Sequence, residues 1–410
     1  MRYSILIFFL LGFFACSSPE PSPTFEKKLL ESGLTQEELQ DKILGMIVGS
    51  AIGDAMGAPT EMWPRASIQL EYGFVKELDS LIREASPEGT WLPNLPEGGT
   101  TDDTRWKVFT ADYLSTQNPD QLSARDFAKK ILDTYQGYLE ESDKLDRQDS
   151  IKIEKVNLKL GWLQEWAKVS QPFISDNLVG YADSLGKFYG GEMVCAGLLY
   201  APTLGTYFPG NPEKAYQEAY KLSIYDLGYA KDLTALSAAM TAAGMKKNAS
   251  PDSLLASLEV DPQHYFESRL VGRTANRIIN DALFIVEEAK KLDSLGNHMD
   301  PESPALKFAF SQLDARIQDM PFHAGEIFLQ TLTAMIYSDF DFMNTLIFLT
   351  NYGRDNDTTA ALAGAILGAY YGFEKLPIKE KQQVLSVNKE LLGIDLEESG
   401  KKLSDHLLGK

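Results

Sequence analysis

The sequence predicts an all-α fold in one domain that extends from residue 35 to residue 410. Three observations lead to this prediction. No stretch alternates apolar and polar residues clearly enough to indicate a half-buried β-strand. Apolar residues instead recur at helical spacing through most of the chain, and two such stretches carry a glycine at every fourth position. The hydrophobic content of 44% and the charged content of 24% are those of an ordinary globular protein.

The chain is strongly acidic, with a net charge of −19. This excess of carboxylates argues against nucleic acid or an anionic lipid surface as a partner. It also means that an anionic ligand would need local neutralisation by a metal ion or by helix N-termini.

The N-terminus has the pattern of a targeting segment. Arg2 precedes an apolar run from Ile5 to Phe14, which is shorter than a membrane-spanning helix and is typical of the hydrophobic region of a signal peptide. The sequence Phe13-Phe-Ala-Cys16 that follows resembles a bacterial lipobox, in which the cysteine becomes the lipidated first residue. An ordinary secretory peptide cleaved near Ala15 is the alternative.

The lipobox resemblance implies a lipoprotein signal peptide over residues 1–16, lipidation of Cys16 and a tether over residues 17–34. The protein would then be exported and anchored through its lipid to a bacterial membrane, facing the periplasm or the cell surface. Cys195 is the only other cysteine, so lipidation of Cys16 leaves it no intramolecular disulfide partner. We expect Cys195 to be a small buried residue.

The first helix of the domain begins at the capping box Thr35-Gln-Glu-Glu38, and we expect it to end near Gly57. Four glycines share one face of it: Gly45, Gly49, Gly53 and Gly57. Each interior glycine costs roughly 1 kcal/mol relative to alanine, so four of them indicate that another backbone approaches closely. The C-terminal stretch carries the matching set: Gly364, Gly368 and Gly372. Antiparallel packing of these two glycine ridges would bring Asp54 beside Asp355.

The middle of the chain divides into an excursion and a series of helices. Residues 64–99 contain many prolines and glycines and are predicted to form a long surface excursion. Helical periodicity then predicts further helices at Ser123–Glu140, Leu158–Val169, Asn211–Tyr225, Asp226–Met245, Arg269–Leu295, Gly325–Tyr337 and Phe340–Tyr352.

Two acidic loops, each followed by a helix, carry the residues most suited to chemistry. They contribute six oxygen-bearing side chains: Thr101, Asp102, Asp103, Asp355, Asp357 and Thr358. Two independent helix caps would explain single carboxylates at these places. The other interpretation is one shared metal site, because clustered carboxylates repel unless a cation or proton neutralises them. An all-oxygen ligand set selects Mg²⁺, Mn²⁺ or Ca²⁺ over zinc, and the four histidines show no zinc spacing.

Three blocks of sequence resemble the ADP-ribosylglycohydrolase family, which includes the dinitrogenase-reductase-activating glycohydrolases. In the family's order they are Gly53-Asp-Ala-Met-Gly-Ala-Pro-Thr-Glu61, Thr101-Asp-Asp-Thr104 and Gly353-Arg-Asp-Asn-Asp-Thr-Thr-Ala-Ala361. A weaker fourth block is Pro209-Gly-Asn-Pro-Glu-Lys-Ala-Tyr216. The resemblance therefore spans essentially the whole domain. It implies a single-domain orthogonal helical bundle that binds two divalent cations, Mg²⁺ or Mn²⁺.

The activity that the resemblance implies is hydrolysis of an N- or O-glycosidic bond in an ADP-ribosylated or small-molecule ribosyl substrate. The six loop residues named above would be the metal ligands, and Glu61 and Asp103 would act in catalysis. The alternatives are a hydrolase of free nucleoside-like or sugar glycosides and a non-catalytic binding protein on the same fold.

The chain departs from the family pattern at three places. Arg354 and Asn356 stand where many relatives have glycine and threonine. The stretch from Gly190 to Pro202 lacks the usual Asn-Gly and Met-Arg pairs, and no histidine precedes Asp226. Relatives contact substrate in these regions, so the departures bear on the substrate more than on the metal site.

Overall fold

The computed structural model describes residues 29–82, 94–118, 121–145, 150–262, 264, 266, 271–293 and 299–410. Helices dominate these residues, which confirms the all-α prediction. The predicted signal peptide, Cys16 and most of the predicted tether lie outside the described residues.

The helices of the first half are α1 (Gln36–Gly57), α2 (Arg65–Glu71), α3 (Asp102–Leu114), α4 (Ala124–Asp143), α5 (Ser150–Ile174), α6 (Leu178–Gly186), α7 (Ala201–Thr206) and α8 (Pro212–Leu222). Those of the second half are α9 (Ala230–Gly244), α10 (Pro251–Ala256), α11 (Thr274–Lys290), α12 (Pro304–Asp314), α13 (Ala324–Tyr337), α14 (Phe342–Tyr352), α15 (Asn356–Tyr371), α16 (Ile378–Val387) and α17 (Leu396–Leu407). Short 3₁₀ or π turns lie at Ala58–Thr60, Phe188–Gly191, Ala196–Leu199, Ser257–Glu259, Phe373–Lys375 and Asn388–Leu392.

Two short strands, β1 (Leu81–Ile82) and β2 (Asn94–Leu95), pair antiparallel with Leu81 opposite Leu95. This two-residue pairing leaves the all-α class unchanged, and the sequence did not indicate it. Two residues are too few to produce a recognisable alternation of apolar and polar side chains.

Helix α1 is the central helix of the fold. It is long and apolar enough to cross a membrane, but 94% of its most apolar window is buried inside the protein. A helix that is apolar on all sides is expected at the centre of a large core. Helices α3, α14, α16 and α17 contact it, and α15 packs along it more extensively than any of these.

The two glycine ridges meet, as predicted, in an antiparallel pair of helices. A Cβ atom added at Gly49 would lie 2.4 Å from the carbonyl oxygen of Gly364. One added at Gly368 would lie 2.0 Å from the carbonyl oxygen of Gly45. Only glycine allows two helix backbones to approach this closely. The end of α1 consequently lies against the beginning of α15.

The excursion after α1 packs more tightly than its composition predicts. Ile68 of α2 is buried with 1% of its surface exposed. The Asn351 side chain of α14 pairs with Val75, accepting from its N–H at 2.8 Å and donating to its carbonyl at 2.7 Å. The prediction of a surface excursion was therefore wrong for this part, because long-range contacts compensate for its many turn residues.

The capping box of α1 is present as predicted, and it offers a stability test. The Thr35 hydroxyl accepts the Glu38 N–H at 3.2 Å, and the Glu38 carboxylate accepts the Thr35 N–H at 2.8 Å. We expect Thr35→Ala to reduce the free energy of unfolding by about 1 kcal/mol. Gln36→Ala, at the exposed next position, is the matched control and should be near neutral. Equal denaturation midpoints for the two variants would contradict a stabilising cap.

Candidate metal centre

The packing of the glycine ridges places the candidate site where α1 ends and α15 begins. A Cβ atom at Gly57 would lie 2.4 Å from the Cα atom of Asp357. The 3₁₀ turn Ala58–Thr60 then leads to Glu61. The two residues after Glu61 pair with Arg354 through backbone hydrogen bonds, from Met62 N–H to Arg354 O at 2.7 Å and from Arg354 N–H to Trp63 O at 3.2 Å. These bonds fix the segment against the start of α15.

Three carboxylates meet at this junction, and we call Glu61, Asp355 and Asp357 the acidic trio. Each offers a carboxylate oxygen, and these oxygens all lie within 4.8 Å of one another. All three side chains are buried, with 6%, 3% and 2% of their surface exposed. Asp355 occupies the N-cap position of α15, but its side chain makes no capping hydrogen bond. Its carboxylate is therefore not explained by a helix cap.

The electrostatics of the acidic trio favour a proton or a cation. Burial, and then the neighbouring Glu61 carboxylate, raise the pKa of both Asp355 and Asp357 well above the ordinary value. Asp357 Oδ1 is buried without a hydrogen-bond partner among the described residues. A buried polar atom without a partner costs free energy unless an ion or water satisfies it. Carboxylate oxygens are the ligands that Mg²⁺ and Mn²⁺ prefer, so this donor set fits a hard divalent cation.

The second acidic loop reaches the same place. We call Thr101–Thr104, at the start of α3, the threonine loop. The Thr101 hydroxyl lies 2.9 Å from Asp54 Oδ1 and 3.2 Å from Asp357 Oδ2, and the Thr358 hydroxyl donates to Asp103 Oδ2 at 2.9 Å. The structure thus brings together two segments that are distant in sequence.

Asp54 holds the threonine loop in position. It is fully buried and accepts the Thr101 N–H, the Thr104 N–H at 2.9 Å and the Thr104 hydroxyl at 2.6 Å. Burial, and then the Asp103 carboxylate, raise the pKa of Asp54 to about 7. The glycine ridges predict that Asp54 lies near the start of α15 but assign it no role. The signal for such a role is a carboxylate inside the apolar, glycine-rich second half of α1.

The two aspartates of the threonine loop differ in their surroundings. Asp103 is buried, and its two oxygens accept hydrogen bonds from Lys107 at 2.7 Å and from Thr358. Asp102 is half-buried, and burial raises its pKa although the Arg105 guanidinium acts in the opposite direction. Neither carboxylate belongs to the acidic trio. Both aspartates are among the metal ligands that the family resemblance implies, whereas nothing in the sequence marks Lys107.

Arg354 supports the loop that carries Asp355. Its guanidinium forms two hydrogen bonds to the buried Glu326 of α13, Nε to Oε1 at 2.7 Å and Nη2 to Oε2 at 2.9 Å. Its φ of +66° lies in the left-handed region that favours glycine, the residue that many relatives have here. The ion pair with Glu326 helps to hold Arg354 in this conformation, which is unfavourable for residues other than glycine.

Cys195 is buried beside the centre, as expected of a small core residue, with 5% of its surface exposed. Burial, and then the nearby Asp355 carboxylate, raise the pKa of its thiol well above the ordinary value. Asp226 anchors the turn that follows, accepting the Gly197 N–H at 2.8 Å and the Thr234 hydroxyl at 2.6 Å. Burial raises the pKa of Asp226 to about 6.

Comparison with known proteins identifies the family. The model of the family described as ADP-ribosylglycohydrolase matches residues 35–408, nearly all of the predicted domain. The chain belongs to the ADP-ribosylglycohydrolase family. This membership confirms the resemblance read from the motifs and supports a glycohydrolase. Members of the ADP-ribosylglycohydrolase family are typically metal-dependent, and the acidic trio could bind such an ion.

Two individual proteins show how far the similarity extends. A solved structure named "ADP-ribosylglycohydrolase-related protein complex" covers 90% of this chain and 99% of its own, with a TM-score of 0.52. At 18% identity, this likeness shows the ADP-ribosylglycohydrolase fold alone. "Uncharacterized protein YegU" of Escherichia coli (strain K12) is 32% identical over 74 residues, which is 18% of this chain. That match spans 21% of the relative's own length.

Proposed function

We propose that this protein is a metal-dependent hydrolase that cleaves an N- or O-glycosidic bond of an ADP-ribosyl or related ribosyl substrate. The observation that carries the proposal is the buried acidic trio in a chain of the ADP-ribosylglycohydrolase family, with no hydrogen-bond partner for Asp357 Oδ1 in the part of the chain that the structure describes. Three buried carboxylates that served only stability would be unusual, because their mutual repulsion and desolvation destabilise the folded state.

Glu61, Asp355 and Asp357 would hold Mg²⁺ or Mn²⁺. When bound, such an ion supplies Lewis acidity and orients the hydroxyl groups of a sugar and a water molecule. The protein's own contribution is a rigid, water-poor frame. The threonine loop is fixed by Asp54, and Arg354 and Glu326 fix the approach to α15.

Activation of the attacking water requires a carboxylate that can accept a proton. Of the two threonine-loop aspartates, Asp102 suits this role better, because it is less buried than Asp103 and burial nevertheless raises its pKa. Both oxygens of Asp103 already accept hydrogen bonds from Lys107 and Thr358, so Asp103 would position the loop instead. Glu61 would act as a ligand of the ion.

A hydrolysis screen tests this proposal. The purified full chain would be assayed with Mg²⁺ or Mn²⁺, and with a chelator, against ADP-ribosyl, nucleoside and simple glycoside substrates. We expect turnover of ribosyl substrates that the chelator abolishes. Turnover of nucleosides or simple sugars alone would favour the alternative hydrolase. Metal binding without turnover of any of these substrates would favour a binding protein on this fold.

We also propose that the protein is exported and anchored through a lipid on Cys16, because the apolar run and the lipobox-like sequence precede this cysteine. Cys16→Ser should abolish labelling by a radioactive fatty acid and release the protein from the membrane fraction. Cys195→Ser is the matched control, since Cys195 is buried, and should leave the labelling unchanged. Unaltered membrane fractionation of Cys16→Ser would contradict the anchor.

A further inference from the structure

A fully buried lysine stands beside the candidate metal centre. Lys107 lies on α3, one helical turn after Asp103, and its Nζ atom is 2.7 Å from Asp103 Oδ1. The two side chains are only 1% and 3% exposed. Burial of an ammonium group is unfavourable unless a carboxylate compensates it, so this pair is retained inside the core against a substantial desolvation cost.

The carboxylates of the centre fall into two groups by their partners. Asp103 accepts a hydrogen bond on each oxygen, from Lys107 and from Thr358, whereas Asp357 Oδ1 accepts none among the described residues. The charges that act most strongly on Asp355 are the carboxylates of Glu61 and Asp103, and those that act most strongly on Asp357 are the carboxylates of Glu61 and Asp355. Uncompensated negative charge is therefore concentrated at the acidic trio and not at the threonine loop.

Asp102, like Asp103, has a cation beside it, because its strongest electrostatic neighbour is the Arg105 guanidinium of α3. Both aspartates of the threonine loop thus have a cation supplied by α3 itself. A divalent ion placed on Asp103 would lie close to the Lys107 ammonium. Like charges at such separations repel strongly in a buried site, because the effective dielectric constant there is low.

We propose that the Lys107 ammonium takes the place of a second metal ion, so that the centre binds a single divalent cation at the acidic trio. This inference rests on the proposed metal dependence. The number of bound ions would then be one, whereas the family resemblance implies two. Lys107 would act as a fixed internal cation beside Asp103.

The test is the number of Mn²⁺ ions bound by the full-length protein in detergent, measured by calorimetric titration. Electron paramagnetic resonance of the loaded protein provides a second readout, since neighbouring Mn²⁺ ions couple magnetically and an isolated ion does not. We expect the wild type to bind a single ion with the spectrum of isolated Mn²⁺. Lys107→Met removes the ammonium with little change in volume, and we expect it to admit a second, coupled ion.

Two further variants serve as controls. Lys107→Arg keeps a positive charge at this place and should still bind a single ion. Lys130→Met removes a half-exposed lysine that pairs with Asp112 elsewhere on the protein, and it should also bind a single ion. A thermal melt of each variant establishes that it is folded before the ions are counted.

The outcomes separate this inference from the proposed function. A pair of coupled ions in the wild type would overturn the inference and leave the metal-dependent hydrolase intact; this measurement does not depend on any variant. A single ion in folded Lys107→Met would overturn the role assigned to Lys107. No bound ion in the wild type would overturn metal dependence as well. A single ion in a protein that hydrolyses no glycoside would support the inference and overturn the proposed function.

Discussion

Replacement of Asp357 by asparagine should greatly reduce the rise in melting temperature that Mg²⁺ or Mn²⁺ produces in the wild-type protein. An ion that binds only the folded state stabilises it by about 2.7 kcal/mol at a free concentration a hundredfold above its Kd. Asp357→Asn preserves the shape of the side chain but removes the charge of a carboxylate whose Oδ1 has no hydrogen-bond partner within the described ranges. Mutation of a residue that only supports a metal ligand typically lowers metal affinity roughly 10- to 100-fold. We expect the loss of a ligand itself to lower the affinity by at least as much.

Without metal, the same substitution should not destabilise the protein. Removal of one charge from three buried carboxylates reduces their repulsion, so metal-free Asp357→Asn should be at least as stable as the metal-free wild type. Asp133→Asn, which changes an exposed carboxylate paired with Lys129, is the matched control and should keep the full metal-induced gain. Thermal melts of the three proteins with and without metal decide the matter. A full gain retained in Asp357→Asn would show that the acidic trio is not where the ion binds.

Gly53→Ala should destabilise the protein more than any single change on its surface. The new Cβ atom would lie 2.0 Å from the carbonyl oxygen and 2.4 Å from the carbonyl carbon of Ala360. Both are backbone atoms of α15, so no side chain can move aside. Overpacking typically costs about 1–3 kcal/mol, and we expect the loss to reach or exceed the upper end of that range. Chemical denaturation measures it.

Two exposed glycines provide the control for helix propensity. Gly137 of α4 and Gly161 of α5 have no atom within 4 Å of an added Cβ. Alanine at either position should be neutral or stabilising by up to about 1 kcal/mol, because glycine is the poorer helix former. Stability of Gly53→Ala equal to that of Gly137→Ala would contradict the close approach of α1 and α15. A loss of metal affinity in Gly53→Ala is also expected, since separation of the helices moves Glu61 away from Asp357.

Much of the architecture could be predicted because it depends on local signals. The capping box at Thr35 and the glycine spacing in α1 and α15 each depend on residues only three or four positions apart. Antiparallel packing predicts that Asp54 lies beside Asp355, and the shared-site interpretation and the family motifs predict that the threonine loop lies there as well. The sequence does not predict helices α2, α6, α7, α10, α12, α16 and α17, because each depends on contacts with the rest of the fold and not on a long periodic stretch.

The features that could not be predicted depend on partners far away in the sequence. Glu326 and Arg354 are 28 residues apart, and nothing in either neighbourhood indicates that they pair. In the sequence, Lys107 is an ordinary helical lysine. Only its complete burial beside Asp103 in the structure distinguishes it from the other lysines. The hydrogen bonds of Asp54 to the threonine loop likewise require the assembled core.

The antiparallel pairing of α1 and α15 also sets the order in which the chain can assemble during its synthesis. The glycine face of α1 has its partner backbone in α15, which lies at the other end of the domain. The two helices are separated by roughly 300 residues, and at typical elongation rates the ribosome needs about 15–60 s to cover that distance. During that interval a strongly apolar helix has no counterpart along its glycine face, and the carboxylates of Glu61, Asp355 and Asp357 have not yet met. The central helix pair and the candidate metal centre therefore form together, and only after α15 has been synthesised.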